Sequence, residues 1–195
     1  MKRLLSVLAV ALVGVLSLSA CGNATDDVGS SGGSSSKAVF NDADVTFVQS
    51  MIPHHTQAVA MAKMAASHAS SPAVKNLATK IEAAQGPEID TMTGWLKAWG
   101  KEAKAGSGPM DGMDHGSGAM PGMMGDAAMK SLDSADGASF DQMFLTMMMS
   151  HHQGAIEMAK TEQAHGKNTD AVALAKQIEA DQTAELAQMK GMLKS

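Results

Sequence analysis

Apolar residues recur at intervals of three and four through most of the chain, without the alternation at period two that marks a half-buried strand. Phe47, Met51, His54, Ala58, Met61, Ala65 and His68 form one such stripe, and Asn41 or Asp42 just before it can cap a helix. That helix should stop near Ala69. Ser71 and Pro72 then offer an N-cap and a first-turn proline to a second helix bearing Val74, Leu77, Ile81, Ile89, Met92 and Leu96. Pro53 and Pro87 fall inside these patterns, where a missing N–H and a ring clash predict a bend.

The whole arrangement then repeats. MIPHHTQAVAMAK begins at Met51 and MMSHHQGAIEMAK at Met148, and the constant, gap-free offset of 97 residues between them pairs His54 with His151 and Asp44 with Asp141. The same offset pairs His68 with His165, Ile81 with Ile178, Gln85 with Gln182, Glu88 with Glu185 and Met92 with Met189. The second helix of the later copy should start at Thr169 or Asp170, and Ser150 and Ala184 stand where the earlier copy has its prolines. A lone helix pair cannot bury its stripe, so the copies must pack on each other. The prediction is an all-α four-helix bundle built from two repeated helix pairs. Its expected boundaries are repeat one at 40–105, a Gly/Met-rich connector at 106–130 and repeat two at 137–195, all within one domain spanning 40–195.

The first forty residues follow a different logic. Lys2 and Arg3 precede an apolar run from Leu4 to Leu18, the length of an export signal and short for a membrane span of ~20 residues. Leu18-Ser19-Ala20-Cys21 resembles a bacterial lipobox, which makes 1–20 an expected lipoprotein signal peptide and Cys21 the expected site of lipidation. Two acyl chains would supply the double anchor that stable attachment needs. A plain secretory signal followed by a free Cys is the competing reading. Residues 21–39, rich in Gly and Ser, read as a flexible linker, and the domain is expected outside the cytoplasm, anchored to the cell membrane.

Composition narrows the chemistry. With 15 Lys+Arg against 20 Asp+Glu, a net charge of −5 and no basic block, the chain lacks the footprint of a nucleic-acid binder. One Cys can form neither an internal disulfide nor a thiolate zinc site. The 18 Met exceed the 4 Phe and 2 Trp combined, so thioether sulfur is abundant. At ~100° per residue, Met51, His54, Met61 and His68 share one side of the first helix, with His55 at its edge. Met148, His151, His152, Met158 and His165 repeat the set. Packing the copies together would line the interior with imidazole and thioether.

Thioether and imidazole without thiolate favour Cu(I), and by analogy Ag(I), over harder cations. The connector adds Met110, Met113, His115, Met120, Met123 and Met124 on a glycine-rich stretch. All sixteen of these Met and His residues are therefore candidate copper ligands. Met64, Met92, Met143, Met189 and Met192 are read as adaptable core instead. Glu82, Glu88, Glu179 and Glu185 are read as solvated or paired with Lys, without a chemical role.

The doubled motif MxxHHxxAxxMA, carried by Met51-His54-His55-Ala58-Met61-Ala62 and Met148-His151-His152-Ala155-Met158-Ala159, resembles that of the bacterial domain-of-unknown-function family three-zero-five. The resemblance runs from about Phe40 to the C-terminus. It implies a ferritin-like four-helix bundle and, as in some members, an exported copper-binding protein linked to copper tolerance, with the HisHis pairs and neighbouring Met as ligands. It does not say which of these share an ion.

The leading expectation is a non-enzymatic protein that sequesters Cu(I) or exchanges it with a donor or acceptor protein. A ferritin-like di-metal oxidase is a second reading, but Glu162-x-x-His165 has only Ala65-x-x-His68 as its mate, half the required carboxylate motif. A metal-free surface interaction module is a third.

Overall fold

A computed structural model describes residues 39–103 and 120–194. Among them lie five helices: α1 (Asp42–His68), α2 (Pro72–Ala98), α3 (Asp126–Asp133), α4 (Gly137–His165) and α5 (Thr169–Met192). No strand occurs among the described residues, only an isolated bridge between Ala69 and Gly137. The fold is an all-α bundle in which α1 and α4 form the central pair, each flanked by the second helix of its own repeat.

Most local signals act where the sequence places them, although Ser71, at the N-cap position of α2, makes no side-chain capping bond. Asn41 caps α1 through the N–H groups of Ala43 and Asp44, while the Asp44 carboxylate reaches back to the Asn41 N–H at 2.6 Å, a reciprocal capping box. Pro72 opens α2 and Asn168 caps α5. Both α1 and α2 run on through Pro53 and Pro87 as continuous helices, each at the cost of one ladder hydrogen bond.

The two repeats are locked together by reciprocal caps. Asp44 at the start of α1 accepts from the backbone N–H groups of Lys167 and Asn168 at 3.0 and 2.8 Å, in the turn between α4 and α5. Asp141 near the start of α4 accepts from the Ser71 N–H at 2.9 Å and the Ser70 hydroxyl at 2.5 Å, in the turn between α1 and α2. Each first helix thus holds the other repeat's turn, which makes α1 and α4 antiparallel.

Apolar packing divides into two half-cores. One gathers Met61, Leu77, Ile81, Phe140, Phe144, Met148 and Met189; the other gathers Phe47, Val48, Met51, Met92, Leu96 and Ile178. Between them along α1 and α4 lie His54, His55, His151 and His152, all with no exposed surface. The middle of the molecule is a layer of imidazole.

The chain between the repeats is more ordered near its end than a simple connector would be. α3 packs Leu132, fully buried, and Met129 against the first half-core. Met124, read from sequence as a candidate copper ligand on a glycine-rich connector, packs against that half-core as well, because the preceding turn brings the backbone down onto α1 and α4.

Candidate metal centre

The two central helices bring His54 and His151 together, their ring centroids 3.7 Å apart and their planes inclined by 37°. Burial is the main reason both stay neutral: it pushes the His54 pKa down to about 3 and the His151 pKa down to about 2. The neighbouring imidazoles add to the effect, since a proton on one repels a proton on the next. Neutral imidazole keeps a nitrogen lone pair, and that lone pair is what binds a metal.

Hydrogen bonding decides which nitrogen is bare. The Nε2–H of His55 donates to Glu88 at 2.7 Å, and the Nε2–H of His152 donates to Glu185 at 2.6 Å. The Nε2–H of His54 donates to the Pro121 carbonyl at 3.0 Å. In each case an acceptor-only partner holds a proton on Nε2, and in the neutral His54 ring that leaves Nδ1 as a lone pair. Those three Nδ1 atoms, and both ring nitrogens of His151, are buried without a hydrogen-bond partner. Unpartnered buried nitrogens are costly in an empty protein.

This is the pattern by which proteins orient histidine ligands: one ring nitrogen donates to a carboxylate or carbonyl, and the other faces the metal. The donor set fits a soft ion. Met51 and Met148, one turn before the paired histidines on their respective helices, are fully buried thioethers. Among the described residues no three His, Cys, Asp or Glu side chains gather closely enough to hold an ion by themselves.

Glu88 and Glu185 correct the sequence reading, which gave them no role. They lie on the flanking helices, one in each repeat, and accept from the buried histidines; their match under the 97-residue offset was the available signal. Glu82 and Glu179 do face Lys63 and Lys160, at 3.9 and 3.5 Å.

The remaining candidates are dispersed. His68 and His165 each lie fourteen residues beyond His54 and His151, about 21 Å along a helix. His68 pairs with Asp136 at 2.8 Å and stacks on Phe140, whereas His165 is exposed. Because α1 and α4 are antiparallel, these two histidines lie toward opposite ends of the bundle. Met61 is buried in the first half-core, and Met158 shares an open pocket with Phe47, Glu162 and His165. Met120, Met123 and Met124 are partly buried beside the central helices. Met110, Met113, His115 and Cys21 lie outside the described residues.

A bundle with paired buried histidines at its midplane defines a class of helical protein with an internal nitrogen and sulfur donor layer. The chain belongs to the family described as Domain of unknown function (DUF305), whose model matches residues 44–193. A crystal structure of a DUF305 protein from Streptomyces coelicolor is 32% identical, with a TM-score of 0.69, covering 78% of this chain and 92% of that one. A DUF305 fragment from Deinococcus radiodurans is 28% identical with the same TM-score, covering 79% and 97%. CopM in its Cu(II)-bound form is 34% identical with a TM-score of 0.65, covering 77% and 95%. CopM has also been solved in Cu(I)-bound, Ag-bound and apo forms. No curated protein sequence matches the chain.

Proposed function

We propose that this protein is an extracytoplasmic, membrane-anchored copper-binding protein, which sequesters Cu(I) or passes it on through Met and His ligands. The observation that carries the reading is the midplane layer: the neutral, buried imidazoles of His54 and His151, among four buried histidines with ring nitrogens that have no protein partner. Copper is the cargo here. Thioether and imidazole are exchangeable ligands for a soft ion, so stepwise transfer suits them. Copper-bound and silver-bound CopM supports the metal class. Glu88 and Glu185, spent on orienting His55 and His152, support a binding role over a catalytic one.

The location rests on the lipobox-like Leu18-Ser19-Ala20-Cys21 and on the secreted-protein description of the Streptomyces coelicolor relative. Among the described residues no helix is long and apolar enough to cross a membrane, so lipid on Cys21 would supply the attachment.

The test is to load the purified protein with Cu(I) under reducing conditions, desalt it, and count bound copper. The wild type should retain copper, and a variant with His54, His55, His151 and His152 all replaced by Gln should lose most of it. Equal retention by both would remove the imidazole layer from the site.

A further inference from the structure

His54 and His151 have no exposed surface, so nothing the size of an ion reaches them unless some element moves. The long helices on either side are tied at both ends by the Asp44 and Asp141 caps. The third element in contact with the pair is short: the turn at Met120–Met124, closed by a bond from the Met123 N–H to the Met120 carbonyl at 3.1 Å.

This turn is seated by features that have no other use. The Pro121 carbonyl accepts from His54 Nε2 at 3.0 Å. Gly122 has φ of 77°, and a Cβ there would lie 2.6 Å from the Ser150 carbonyl oxygen and 3.1 Å from the His151 Cα. Gly154 lies in the interior of α4, where glycine weakens a helix, and a Cβ on it would meet the Pro121 carbonyl oxygen at 1.9 Å. Opposite, Gln57 grips Met124 twice, its Nε2–H donating to the Met124 carbonyl and its Oε1 accepting from the Met124 N–H, both at 2.8 Å. Gln57 and Gly154 are the same position of the two repeats under the 97-residue offset. One repeat contributes a side chain that holds the segment, and the other removes a side chain to make room for it.

The geometry points to the Met120–Met124 segment as a strap that gates the imidazole pair, lifting off Gln57 and Gly154 to let copper in or out. This inference rests on the copper reading and adds its regulation. The strap carries three thioethers of its own, Met120, Met123 and Met124, so the gating element is also able to carry the ion. Lifting it breaks the His54–Pro121 bond, which uncovers the ring edge and releases the His54 ring from the contact that orients its bare Nδ1. Exchange of copper is then limited by strap opening rather than by the strength of any one metal–ligand bond.

The test uses the purified full chain and two variants, Gln57→Ala, which removes both grips on Met124, and Gly154→Ala, which drives a methyl into the Pro121 carbonyl. Circular dichroism melting establishes that each is folded. In metal-free protein, carbethoxylation of His54 by diethyl pyrocarbonate, followed by peptide mass spectrometry, should speed up in both variants. In Cu(I)-loaded protein, release to excess bathocuproine disulfonate should accelerate by about tenfold in Gln57→Ala, the scale of two lost hydrogen bonds. If loaded wild-type and Gln57→Ala proteins release copper at the same rate, the strap is not the gate, although copper binding stands. If the wild type takes up no Cu(I), the copper reading fails and the gating inference fails with it.

Discussion

Ala65 and Glu162 occupy the same position of the two repeats, and only the second carries an acid. Glu162 is almost wholly buried, and among the described residues neither of its carboxyl oxygens has a hydrogen-bond partner; that burial, and then the charge of the nearby Asp44, push its pKa up to about 8. Burial also pushes Asp44 upward, but the bonds it accepts from the Asn41, Asn168 and Lys167 N–H groups oppose that, and its pKa lies below the ordinary carboxylate range. Of the two carboxyls, Glu162 is therefore the one that holds a proton near neutral pH. Folded protein keeps that proton up to about pH 8, whereas the unfolded chain releases it near the ordinary glutamate value of 4.5. The associated stability is present below 4.5 and is lost as pH rises through 8. Glu162→Gln should abolish this loss, so its melting temperature should exceed that of wild type at pH 8 by several degrees and converge on it near pH 4. A constant difference across that range would show that Glu162 is ionised throughout. His54 and His151 act in the opposite sense: their lowered pKa values provide stability above 6.5 that is lost as pH falls toward 3.

At the scale of elements, helix ends matter as much as helix faces. Asp141 satisfies two backbone N–H groups and a hydroxyl in the turn between α1 and α2, and Asp44 does the same work for the turn between α4 and α5. Charge-assisted bonds of this kind make Asp141→Ala worth about 2 kcal/mol of unfolding free energy. Urea denaturation should show the midpoint lowered with the slope unchanged. A loss below about 0.5 kcal/mol would mean that water replaces the carboxylate. The four long helices were legible because Phe47, Met51, Ala58 and Met61 recur at helical spacing and again 97 residues later. The caps were not, because Asp44 and Asp141 act on backbone 124 and 70 residues away, respectively, and no local pattern encodes that. α3 escaped for a related reason: eight residues carry too little periodicity to distinguish a helix from a glycine-rich connector.

For the molecule as a whole, the HisHis pairs were legible as a shared interior feature because duplication placed them on both central helices. Their orientation was not, since Glu88, Glu185 and Pro121 come from other elements and meet the rings only after packing. An ion joining donors of α1 and α4 would tie the two half-cores across the midplane, and it would bind the folded chain alone. Cu(I) at about a hundredfold excess over its dissociation constant should add about 2.7 kcal/mol to stability. Thermal unfolding should shift upward by several degrees in the wild type and not in the variant lacking the four midplane histidines. No shift in the wild type would favour a metal-free interaction module.

Joining two copies in a single polypeptide also has a consequence for what each copy is free to become. Two identical halves meeting as separate molecules must use every position twice, once on each side of their axis. Covalent fusion lifts that obligation, so Gln57 grasps and Gly154 yields, and between them they seat the Met120–Met124 turn. A duplicated scaffold thereby acquires a front and a back, and with them a direction for traffic that a symmetric pair could not specify.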